Sequence, residues 1–159
     1  MNAEIRREIA EFLTHQRTAS LATVAADGSP HVADVWFVSD ARMQLYFVSS
    51  PQAAHSQHLA RDSRVALTVH APGDDPGSIH GLQIHGTCAV IPAGMERAEI
   101  QALYMQRYPF LATAAVLLAR LRTEEFYQVT PAWMRWIDNR RGFGFKVEWQ
   151  AGRSGALII

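Results

Sequence analysis

The sequence predicts a mainly β domain with flanking helices, in which antiparallel strands form a meander that closes into a barrel. Three observations carry this reading. About eight strand-like segments follow one another through short turns, with about four helical segments among them. A parallel α/β sheet would need a helix between most strand pairs, and this chain does not supply them. The longer strands are apolar on both faces, as in a barrel wall with a packed interior and a covered exterior.

The elements follow in order. Ile5, Ile9, Phe12 and Leu13 recur at helical spacing over about Ala3–His15, with Arg and Glu opposite them. Asn2 suits the cap of this helix. Strand texture starts at Thr18, and Ala19–Ala25 leads into Asp27-Gly28, a hairpin turn in which Gly takes positive φ without steric cost. A second strand, His31–Ser39, turns at Asp40-Ala41 into a third, Met43–Ser49. Pro51 fits the first position of a helix running to about Arg61, since its missing N–H does no harm there. Val65, Leu67 and Val69 then alternate with Ala66, Thr68 and His70 along a strand. After a Pro/Gly loop over 71–78, Gly81–Ile91 reads as a long strand, with Gly86 marking a bulge or bend. Helices are expected over Glu96–Arg107 and Leu111–Leu121. Three short strands, Glu125–Val129, Trp133–Ile137 and Phe143–Trp149, close the chain.

Composition narrows the function classes. The 159 residues make one domain, 1–159, with 48% hydrophobic and 19% charged residues. Fifteen basic against fifteen acidic residues give no overall charge to attract nucleic acid or an anionic membrane. The single cysteine, Cys88, suits a reducing cytoplasm. Glu4, Glu8 and Glu11 near the start do not fit a signal peptide, and the apolar run 111–121 is too short to span a bilayer. A soluble, cytoplasmic protein is expected.

Several residues are candidates for binding chemistry. Ser49 and Ser50 precede a helix, and a serine hydroxyl with free helix-start N–H groups can seat a phosphate or simply cap the helix. His55 and His58 lie one turn apart on that helix, and His55 can reach a phosphate bound at its start. A metal would need a third ligand, which no Cys or carboxylate motif supplies; His80 and His85 point to opposite strand faces. Gln83 is a polar side chain in mid-strand that needs a partner if buried. Trp36, Trp133, Trp136 and Phe143 suit either a flat ligand or a core. Arg135, Arg140 and Arg141 suit an anion or solvent. Cys88 reads as a buried structural cysteine.

Taken in order, several pieces resemble the pyridoxamine 5′-phosphate oxidase-like split-barrel flavoproteins. They are the opening helix, Ala19-Ser20-Leu21-Ala22-Thr23, Asp27-Gly28-Ser29-Pro30, and the Trp36-Phe37 strand. Leu45-Tyr46-Phe47-Val48-Ser49-Ser50, Ala54-His55, Arg64-Val65-Ala66-Leu67 and Leu82-Gln83-Ile84-His85-Gly86 follow. The tail from Ile137 to Lys146 resembles the YhbP-like bacterial branch. The resemblance implies a six-stranded antiparallel split β-barrel, a homodimer, and FMN bound between subunits. It places Val35 and Trp36 along the isoalloxazine, Ser49 and Ser50 at the phosphate or ribityl chain, Gln83 near the ring, and Trp136 at the partner's site. Where the family pattern often has arginine and lysine, this chain has Ala33 and Ala53, and His55 is a partial substitute. The implied activity is an FMN-dependent oxidoreductase acting on a small molecule. The alternatives on the same fold are a non-catalytic binder of flavin, haem or another flat ligand, an F420-dependent reductase, or a barrel without cofactor.

Overall fold

Tight turns and alternating burial set the strands of this chain, and one long strand closes them into a ring. The computed structural model describes residues 3–113, 115–152 and 157–158; Asn2, the expected helix cap, lies outside them. The order is α1 (Ala3–His15), β1 (Thr18–Val24), β2 (Pro30–Ser39), β3 (Leu45–Ser49), α2 (Ala54–Leu59), β4 (Arg64–His70), β5 (His80–Val90), α3 (Met95–Arg107), α4 (Phe110–Thr113), α5 (Ala115–Leu121), β6 (Glu125–Asp138), β7 (Lys146–Gln150) and β8 (Leu157–Ile158).

Gly28 takes φ 84° in the first turn, which sets β1 against β2 from Thr18↔Trp36 to Val24↔Pro30. This register turns Ala19, Leu21 and Thr23 inward and leaves Ser20 and Ala22 on the outer face. The antiparallel strands run β3-β2-β1-β4-β5-β6, and β3 also pairs with β6, so six strands close on themselves. The later half of β6 leaves the ring to pair with β7. Leu21, Phe37, Leu45, Phe47, Ile84 and Val129 fill the interior, each contributing about 1.5–3 kcal/mol of apolar burial. Helix α1 adds its stripe of Ile5, Ile9, Phe12 and Leu13 to this core, with the Phe12 ring 4.9 Å from Trp136.

A second core forms outside the barrel. Ile100 and Tyr104 of α3, with Tyr108 and Leu111, cover Val38, Tyr46 and Phe126 on β2, β3 and β6. The Tyr104 hydroxyl donates to the Trp36 carbonyl at 3.1 Å, and the Tyr108 hydroxyl donates to the Phe37 carbonyl.

Three boundaries differ from the sequence reading. The expected strands 125–129 and 133–137 are one strand of 14 residues, β6. Pro131 does not end it because Pro131 lies at a bulge, opposite Gly86, where its missing N–H interrupts no regular ladder. The helix after β3 starts at Ala54, with Pro51 in the preceding turn and Ala53 as a cap that makes no side-chain bond. The final long strand starts at Lys146, and Phe143 is 84% exposed before it.

Gly86 is fixed by close approach, since a Cβ there would overlap the Thr130 carbonyl oxygen. Gly86→Ala should therefore cost about 1–3 kcal/mol and lower the Tm by several degrees. Thermal denaturation checks this; an unchanged Tm would mean that β6 yields at the bulge.

Candidate functional site

The ring is incompletely paired at the seam where β2 meets β3. Only Phe37, Val38 and Ser39 of β2 pair with β3, against Phe47, Tyr46 and Leu45. From Pro30 to Trp36, β2 is paired on its β1 edge alone among the described residues. Beyond Phe47, β3 continues along β6 and ends at Ser49, where the chain turns into α2. The two strands thus diverge, and the free edge of β2 leaves main-chain donors and acceptors available to something other than a strand.

Histidines gather beside this opening. A hydrogen bond of 2.7 Å joins Ser49 Oγ and His55 Nε2. One turn later on α2, His58 Nδ1 is 3.0 Å from the Thr23 hydroxyl, and its ring meets the His31 ring edge-on at 5.1 Å. Burial, and the neighbouring His31 and His58, hold the His55 imidazole below its ordinary pKa. The sequence reading did not single out His31 or Thr23. The hairpin register was the signal for both, because it sets Thr23 directly opposite His31.

The expected site residues divide between places. Val35 is buried with its side chain in the barrel, so only its backbone is at the seam. Trp36 faces outward and is 43% exposed, its ring 5.0 Å from Tyr108 and 5.6 Å from Phe110. Ser49 and His55 meet at the foot of the seam. Ser50 closes a local turn instead of capping a helix: its Oγ donates to Gln52 Oε1 and accepts from the Gln52 N–H. Gln83 lies on the outer face of β5, with β1 and β4 between it and β2 in the sheet. Trp136 is 1% exposed and packs against Phe12 and His80, so its indole does not reach a surface from which it could complete a partner's site. The opposite, half-buried face of β6 carries Trp133 and Arg135.

The candidate arginines are engaged within the chain. Arg135 bonds Glu148 at 2.6 Å, Arg140 bonds Asp138 at 2.7 Å, and Arg141 bonds Glu8 at 3.0 Å. Burial pushes the Cys88 thiol up to about 12, which removes it as a nucleophile. Among the described residues, no group of three His, Cys, Asp or Glu side chains is placed to hold a metal ion, and no helix is long and apolar enough to cross a membrane.

The outer face around Gln83 is a second open surface. Ser20 and Ala22, Val32, Ala66 and Thr68, and His85 line a shallow cavity of about 350 Å³ there. Val32 is 62% exposed, and the Ser20 hydroxyl donates to Asp34 Oδ1 at 2.7 Å. Helix α3 covers Val38 and Tyr46 on β2 and β3, whereas Ser20, Ala22 and Ala66 give this part of the sheet small side chains.

Known proteins share this architecture. Residues 5–148 match the model of the family described as Pyridoxamine 5'-phosphate oxidase. A UPF0306 protein of Klebsiella pneumoniae is 25% identical over 143 residues, covering 89% of this chain and 90% of that protein. The UPF0306 protein YhbP of Salmonella paratyphi C is 24% identical over 124 residues, covering 77% and 78%. HutZ, the heme storage protein from Vibrio cholerae, superposes with a TM-score of 0.67 at 16% identity, covering 96% and 92%; that likeness shows the fold.

The histidine cluster has a consequence for stability. Because the fold depresses the His55 pKa, the unfolded chain takes up that proton more readily. This contribution is present above the ordinary imidazole value of about 6.5 and is lost as pH falls below it. The Tm should drop between pH 7.5 and 5.5, and His55→Gln should make the drop smaller. Equal drops in both proteins would remove His55 from the explanation.

Proposed function

The chain belongs to the pyridoxamine 5′-phosphate oxidase family, in its YhbP branch, and on that premise we propose that it is a homodimeric FMN-binding protein and a flavin-dependent oxidoreductase of a small molecule. The observation that carries this reading is the seam where β2 and β3 diverge, with the Ser49–His55 pair at its foot. The free edge of β2 offers main-chain groups to the rim of a flat heterocycle. The Ser49 hydroxyl and the His55 imidazole offer two polar groups for a phosphate, and His31 and His58 stand behind them.

These residues fit the phosphate end of FMN in an unusual way. With Ala33 and Ala53 in place of fixed cations, positive charge has to come from imidazoles. FMN, when bound, would supply the hydride or electron transfer. The protein's part is to hold it: Ser49 and His55 by hydrogen bonds, β2 by its edge, and Trp36 by its exposed ring beside the seam. The open face around Gln83 suits a second copy of the chain. A partner there would bury Val32 and the small residues of β1 and β4, and would place Gln83 at the subunit boundary.

A haem reading has one specific support, the imidazoles of His31, His55 and His58 near a flat opening, on a fold shared with HutZ. Freshly purified protein separates the two. Flavin absorption released on denaturation, with FMN uptake and a dimer by light scattering, supports the FMN reading. A Soret band on haem addition with no response to FMN replaces it.

The phosphate contact is tested by comparing FMN with riboflavin. The preference for FMN should be roughly tenfold or less at pH 8, where the His55 imidazole is neutral, and should rise as pH falls below the ordinary imidazole value of about 6.5 and His55 takes up its proton. Ala53→Lys should tighten FMN severalfold and leave riboflavin unchanged. If riboflavin gains as much as FMN, the phosphate does not lie at α2.

A further inference from the structure

We propose that the pocket between α3–α5 and the outer side of β2 and β3 binds a small planar aromatic cation. Its volume is about 290 Å³, room for one or two fused rings at the small end of the usual range for ligand pockets. Trp36, Tyr104, Phe110 and Leu121 wall it, and among the described residues Glu124 supplies its charged group. Two of the aromatic walls remain open to solvent, Trp36 at 43% and Phe110 at 42%, with their rings at 87° to each other. Tyr108 backs the Trp36 ring and holds it in place. Such walls give a flat ring area and a π-face without needing to rearrange.

Glu124 decides the charge of the occupant. Its Oε2 is withdrawn from water and, among the described residues, has no hydrogen-bond partner. Arg97 does not provide one: it bonds the Glu124 main-chain carbonyl at 2.8 Å, gives its other nitrogen to Glu125 Oε2 at 2.9 Å, and stacks over Phe126 at 5.2 Å. A carboxylate oxygen left unpaired away from water is among the costlier defects in a fold. The terminal torsion of Glu is soft, so the oxygen can turn to meet a donor within the pocket. An amidinium or aminoheterocycle supplies that donor and a positive charge, while its ring rests against the Trp36 and Phe110 faces. A neutral ring gains the walls alone, and an anion meets Glu124 with repulsion.

This pocket is built from residues of one chain and its proposal does not rest on the FMN reading. The test uses the intact protein and two probes of one shape, benzamidine, which is cationic, and benzamide, which is neutral. Calorimetry and tryptophan fluorescence should show benzamidine binding roughly tenfold or more tightly than benzamide, the difference expected for a charged hydrogen bond. Glu124→Gln should bring the two within a factor of about three, and Phe110→Ala should weaken both. The proposal is overturned if wild-type protein binds neither probe, binds them equally, or keeps its preference in Glu124→Gln. The wild-type comparison stands without any variant, and thermal denaturation confirms that each variant is folded.

Discussion

The architecture turns on the shortness of β3. Five residues, Leu45–Ser49, must bond to β6 along their whole length and to β2 along only part of it. The barrel closes through β6, and β2, twice as long, is left with an unpaired stretch. Main-chain groups with no ladder partner must find water, a side chain or a ligand. The seam therefore follows from a mismatch in strand length. Phe37, Phe47 and Tyr127 pack next to it, with Phe47 and Tyr127 stacked at 4.9 Å, so the interior stays filled although the wall is open.

Helix α3 and Tyr108 just after it complete this arrangement from outside. Tyr104 and Tyr108 bond two successive carbonyls, at the point where β2 passes from unpaired to paired. Burial raises both phenols above their ordinary values, so they remain hydroxyl donors throughout the neutral range. The Tyr108 ring also supports the Trp36 ring, and the Tyr104 ring packs against Tyr108. A single pair of tyrosines thus fixes the end of the seam and the back wall of the Glu124 pocket.

Much of this was legible in the residues, and the failures are instructive. The α1 stripe, the Asp27-Gly28 hairpin and the alternation in β4 each depend on contacts close in sequence, so periodicity alone revealed them. Gly86 was readable as a bulge because a strand glycine has few other uses. The continuity of β6 through Pro131 was not legible, since it depends on Gly86, more than forty positions earlier, being opposite. Ser50 looked like a helix cap because Pro51 followed it, yet Pro51 initiates a turn equally well. Trp136 was a candidate through the family resemblance, and strand alternation gives two faces without saying which is inside. The stripe of α1 settled it by placing Phe12 against the indole.

The bond between Ser49 and His55 also bears on selectivity. A phosphate arriving at α2 meets two groups that already satisfy each other, so it must break one internal bond before it gains its own. A ligand that also brings a broad ring to the β2 edge does not face the same barrier, because its remaining contacts offset the exchange. On the FMN proposal, the closed pair would act as a threshold, admitting an anion according to what is attached to it.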